Sequence, residues 1–120
     1  MSITGNRTKL PDVKVTISFN GNDVYDAATA PTRLGSPWIH ALNSISDTGA
    51  LEIVADHPTE DLTLIKKILT PEEITRAFGK LVELGFTHCS RYPIQDLDHS
   101  DECTSDLVLQ FATYGEIVWG

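Results

Sequence analysis

Thr70-Pro71-Glu72-Glu73 constrains this chain more than any other stretch. A threonine hydroxyl can take a free amide at a helix N-terminus, and a glutamate three residues on can return the bond to the threonine amide. Proline fits the first helical position, where its missing N–H costs nothing. Glu72 and Glu73 also suit the positive end of the helix dipole. Ile74, Phe78, Leu81 and Val82 then recur at helical spacing, and Gly85 stands where a left-handed C-terminal residue belongs. The pattern predicts a helix over Pro71–Leu84 with one apolar face, which needs a sheet or further helices to cover it.

Three segments supply candidate strands. Val13, Val15, Ile17 and Phe19 alternate with polar residues, the period of a strand with one buried face, and Asn20-Gly21-Asn22 reads as the turn that ends it. Ala50–Ala55 and Leu62–Lys67 flank the turn residues Asp56-His57-Pro58-Thr59 and lie close enough to form a hairpin. Ser36-Pro37, followed by Trp38, Leu42 and Ile45, predicts a second helix from Pro37 to Ser46. Asp23–Ala30 has room for a short helix before Pro31. Phe86–Cys89 reads as a short strand or a return loop, and Ser90–Ser105 as irregular. A last helix capped by Thr104 or Ser105 would place Leu107, Val108, Phe111 and Tyr114 on one face and stop at Gly115, with a strand as the competing reading. The fold class that follows is α+β, a small, mostly antiparallel sheet covered on one face by two or three helices. The expected core is Val15, Ile17, Phe19, Trp38, Leu42, Ile53, Leu64, Ile74, Phe78, Leu81, Leu107 and Phe111.

A chain of 120 residues suits a single domain over 1–120, with polar residues 1–12 read as a flexible arm or an edge segment. The formal net charge of −8 argues against nucleic acid and anionic membrane as partners, since both select a basic face. It favours a protein partner, a basic one or a second copy, although a merely solvated acidic surface is the plainer reading. The charge is uneven. Residues 1–40 hold four bases against three acids, whereas 91–120 hold only Arg91 against Asp96, Asp98, Asp101, Glu102, Asp106 and Glu116. No apolar run is long enough for a membrane span, and no charged-then-apolar leader opens the sequence, so the expected setting is a reducing cytoplasm. There Cys89 and Cys103 are expected as free, buried thiols rather than a structural disulfide.

The stretch His88–Asp106 gathers the residues with chemistry to offer. His88, Cys89, His99 and Cys103 are the right types for tetrahedral zinc, although their spacing is no finger pattern and adjacent strand residues point to opposite faces. Asp96, Asp98 and Ser100 match the first alternate ligands of an EF-hand loop. The match then fails at Asp101, where glycine is needed, and at Leu107, where the bidentate glutamate belongs. Asp96, Asp98 and Asp101 would also serve a divalent-metal hydrolase. Cys103, near a predicted helix start but among carboxylates, faces opposed influences on its reactivity. No phosphate-binding glycine loop, G-x-S-x-G or H-E-x-x-H occurs, so no catalytic residue is assigned and no resident cofactor is expected. The apolar end Ile117-Val118-Trp119 must dock either on its own domain or on a partner.

Leu84-Gly85-Phe86-Thr87-His88-Cys89, together with Ser105–Ala112 and Tyr114–Gly120, resembles a group of short, uncharacterised proteins encoded by phages of actinobacteria. The resemblance covers the C-terminal third. It implies a phage origin, in the host cytoplasm or the virion, and transfers no catalytic residues. Taken together, the expectation is a small acidic accessory protein that acts through protein contacts, with Asp96, Asp98, Asp101, Glu102 and Trp119 as candidate contact residues. A zinc-binding domain and a metal-dependent hydrolase are the alternatives.

Overall fold

A computed structural model describes residues 10, 12, 18–29, 36–45, 48–88, 92–99 and 101–119, the side chain of Glu102 excepted. The element order is α1 (Gly21–Thr29), β1 (Ile39–Ile45), β2 (Ala50–Asp56), β3 (Leu64–Leu69), α2 (Pro71–Glu83), β4 (Thr87–His88), β5 (Tyr92–Pro93), a 3₁₀ turn at Leu97–His99, and α3 (Glu102–Tyr114). This is an α+β fold with two small antiparallel sheets, one ordered β1-β2-β3 and one made of β4 and β5.

The helix expected from Thr70 forms as the sequence implies. The Thr70 hydroxyl accepts from the Glu73 amide at 3.1 Å, and the Glu73 carboxylate accepts from the Thr70 amide at 3.0 Å. At the other end the Gly85 amide donates to Val82 and the Phe86 amide to Leu81, each at 3.1 Å, with Gly85 at φ +74°. These are the two bonds of a Schellman stop, which needs a residue that tolerates the left-handed region.

The hairpin also forms, two residues further along than expected. Leu51 lies opposite Leu69, Ile53 opposite Lys67 and Ala55 opposite Ile65. Because a strand alternates faces, this register turns Ile65, Lys67 and Leu69 toward the helices and Leu64, Lys66 and Ile68 outward. Leu64 was expected in the core and is instead 52 % exposed. Lys67 takes an inward position because its long stem can cross the core edge while its ammonium reaches the Ala112 and Thr113 carbonyls at the end of α3, at 3.3 and 3.4 Å.

The helix expected over Pro37–Ser46 is a strand. Ile39–Ile45 pairs with β2 along its length, with an irregularity between Ile39 and Ala41. Trp38, Leu42 and Ile45 do fall at helical spacing, but backbone pairing with β2 decides the conformation of so short a segment. Trp38 is nevertheless buried, as expected. Asn20-Gly21-Asn22, expected as a turn, opens α1, with the Asn20 carboxamide accepting from the Asn22 and Asp23 amides. Val13–Ile17, the body of the first expected strand, lies outside the described residues, and Ser18 and Phe19 are not in a strand.

α3 starts about one turn before the expected cap. Asp101 caps it, its carboxylate accepting from the Cys103 and Thr104 amides at 2.9 and 3.4 Å. Thr104 and Ser105 are fully buried, and Ser105 donates to the Ala28 carbonyl of α1 at 2.5 Å. With Val108, Leu109, Gln110 and Thr113 also buried, α3 is the inner helix of the layer. A single cluster joins Val24, Trp38, Ile53, Leu69, Phe78 and Leu109, tying α1, α2 and α3 to one face of the three-stranded sheet. Phe19, Leu42, Leu107 and Phe111, expected in the core, pack against it partly exposed. No helix among the described residues is long and apolar enough to cross a membrane.

Candidate functional site: the acidic segment, the chain end and the open face of the sheet

The structure distributes the acidic segment among separate tasks. Asp101 caps α3, and its Oδ1 also lies 3.3 Å from His88 Nδ1. His88 is buried on β4, and neither ring nitrogen has a hydrogen-bond partner, the contact with Asp101 being outside hydrogen-bond geometry. Asp96 pairs with His99 at 2.8 Å, and the His99 ring stacks on Tyr92 with centroids 4.1 Å apart. Tyr92 also packs against His88, at 5.8 Å. Asp98 is exposed on the 3₁₀ turn. Cys103 was expected as a buried thiol and is instead exposed in the first turn of α3, inside the helix it was expected to precede. Cys89 lies outside the described residues, as does the Glu102 side chain.

Among the described residues, no three histidine, cysteine or acidic side chains converge as ion ligands. Asp98 lies in a 3₁₀ turn rather than an open loop, and Asp101, at the position where an EF-hand needs glycine, has extended backbone and caps α3.

The chain end docks on its own domain. Gln110, fully buried on α3, accepts from the Val118 and Trp119 amides at 2.8 Å each and donates to the Trp119 carbonyl at 2.9 Å. The Trp119 ring stacks on Trp38, 5.8 Å between centroids and 13° between planes, with Tyr114 meeting it edge-on at 5.3 Å. The Trp38 indole N–H donates to Asp106, which also accepts from Ser36 and from Gln110, each at 3.3 Å. The Tyr114 hydroxyl donates to the Asp56 carbonyl at 2.6 Å, and burial, with the nearby Asp56 charge, pushes its pKa up to about 12. Trp119, a candidate contact residue by sequence, therefore has an intramolecular seat. The signal that could have placed it was a buried glutamine on the last helix facing an aromatic chain end.

The surface left open lies elsewhere. The outer face of the sheet exposes Leu64 and Ile68, at 52 % and 54 %, and Leu62 at the hairpin end is wholly exposed. Lys66 stands between Leu64 and Ile68 on that face, 3.5 Å from Glu52. Leu62 has φ +62°, the sole non-glycine residue in that region among those described. A groove of about 930 Å³ also lies between α2 and α3, where Phe19, Val82 and Phe111 meet Glu73, Arg76 and Lys80. It is open, and acids and bases mix along it without converging on a point.

Comparison with protein-family models, with curated proteins and with solved structures gives no match.

Proposed function

We propose that this protein is a small accessory protein, of the phage type its C-terminal third resembles, that acts by binding another protein rather than by catalysis. The carrying observation is the apolar outer face of β3, where Leu64 and Ile68 stand half in solvent, with Leu62 wholly exposed in the turn before the strand. Large side chains grouped on a sheet face and left half in solvent bury only part of their apolar area in the free domain, and contiguous patches of this kind mark contact sites. The acidic segment supports the reading less directly. Asp96 and Asp101 have structural partners, which leaves Asp98 as its outward charge among the described side chains.

The test is co-purification of the tagged protein from its producing cells, with partners identified by mass spectrometry. The unaltered chain and the Asp98→Asn variant should retain the same partner, and the L64K/I68K double variant should lose it while keeping its thermal midpoint within a few degrees. Retention of the partner by L64K/I68K, or its loss in Asp98→Asn alone, would contradict the reading.

A second reading rests on His88. A buried imidazole with both nitrogens unpartnered carries a desolvation cost of roughly 1–3 kcal/mol, and a bound zinc ion would relieve it. His88, His99 and Cys103 do not converge as they stand, so a zinc ion would have to draw them together, with Cys89 completing the set. Elemental analysis of purified protein tests this: about one zinc per chain, with stability lost in chelator, supports it, and zinc well below one equivalent sinks it.

A further inference from the structure

We infer that β3 receives its partner by strand addition, and that the added segment carries a carboxylate flanked two residues away on each side by apolar side chains. The inference rests on the interaction reading above and specifies the partner's chemistry.

The sheet order β1-β2-β3 leaves β3 at an edge. Among the described residues, Leu64–Leu69 make no backbone hydrogen bond beyond the ladder to β2. An edge strand of six residues thus presents a row of unpaired amides and carbonyls, the template for pairing with another chain. Natural edges are shielded by a cover, a bulge or charged side chains, especially lysine; the irregularity of this sheet falls in β1, so the guard on β3 is Lys66 and Lys67, which opposes like-charged strands and admits an acidic one.

The side chains choose among occupants. A second copy is a poor fit. In two-fold antiparallel pairing, outward residues must oppose outward residues. The two registers that engage the most of β3 then centre on Lys66 or on Lys67, setting each lysine against its own copy. Like charges directly opposite on paired strands are destabilising. A strand that sets a carboxylate opposite Lys66 has the reverse effect. Its residues two positions to either side then fall opposite Leu64 and Ile68, and apolar side chains there cover what is now in solvent. The pattern is symmetric about its carboxylate, so it serves parallel and antiparallel addition alike. Lys66 is 66 % exposed, so its contact with Glu52 leaves the ammonium open on the partner side. Lys66-Lys67 is also the sole pair of adjacent bases in a chain whose net charge is −8, so an acidic segment is attracted here and repelled by the C-terminal third.

The probe is a fluorescein-labelled peptide with the core valine–threonine–glutamate–threonine–valine, measured by anisotropy against the full chain. Its counterparts have lysine for glutamate, or N-methyl groups on alternate amides. The acidic peptide is expected to bind at least tenfold more tightly than the lysine peptide, and N-methylation on the pairing edge to abolish binding. Lys66→Glu should invert the preference, with an unchanged circular dichroism spectrum as the check on folding. Equal binding of the acidic and lysine peptides, no binding by either, or undiminished binding of both N-methyl registers would overturn strand addition. The co-purification with L64K/I68K reads the interaction surface independently. A partner lost there while the peptides fail leaves the surface standing and removes the strand.

Discussion

Gln110 shows how one side chain can settle the fate of a chain end. A carboxamide has two donors and two acceptor sites, and here Nε2 donates to Trp119 and Asp106 while Oε1 accepts from Val118 and Trp119. Gln110→Ala strands those backbone groups, and we expect a loss of about 2 kcal/mol or more together with red-shifted tryptophan fluorescence as Trp119 leaves Trp38. Denaturant titration followed by fluorescence checks both. Tyr114 gives a pH dependence of known sign. Its hydroxyl holds its proton more tightly folded than unfolded, so the stability it adds is complete below an ordinary tyrosine pKa of 10 and is lost as pH rises through about 12. Tyr25, whose pKa burial also raises, acts in the same direction. Thermal midpoints of the unaltered chain should fall over that window, and Tyr114→Phe should flatten the fall. The burial of Trp38 was legible from its size and apolar setting. The partners that fix Trp119 and leave His88 without hydrogen bonds were not, because they lie far apart in sequence and depend on how α3 and β4 come together.

At the scale of elements, legibility followed how local the determining chemistry is. α2 could be read to within a residue because its start and stop are decided within four residues of each end. Thr70→Ala should cost about 1 kcal/mol, seen as a lower midpoint in denaturant. Glu73 belongs to the same cap, and the bond from the Thr70 amide holds its carboxyl below the ordinary range. That contribution comes from a backbone amide, so Thr70→Ala keeps it; it is present at neutral pH and is lost as pH falls through the lowered value, so the midpoint of the unaltered chain should fall in acid and Glu73→Gln should flatten the fall. β1 was misread because Trp38, Leu42 and Ile45 satisfy a helical spacing, whereas the backbone bonds that make Ile39–Ile45 a strand come from β2. β3 was read as a strand but two residues early, and separately with the wrong face inward: its alternation buries Leu69 with Ile65 and Lys67 on the inner side, which puts Leu64 on the surface. α3 began early because an aspartate at 101 caps as well as the threonine and serine that follow, and those two are needed in the interior.

At the scale of the whole molecule, the domain puts its helices on one face of the sheet and leaves the other face with apolar side chains in water. Trp119, a candidate contact residue by sequence, is seated internally against Trp38 and Gln110. The acidic segment, the most conspicuous feature of the sequence, is largely occupied in capping α3 and in pairing Asp96 with His99. The candidate site therefore moved from a stretch visible by composition to a face visible only once the register of β2 and β3 is known. The most direct test replaces Leu64, and in a second protein Asp98, with a photo-cross-linking amino acid in the producing cells. The account predicts a discrete adduct to one partner from position 64, reduced by Ile68→Lys, and none from position 98. An adduct from position 98 with none from position 64 would contradict it.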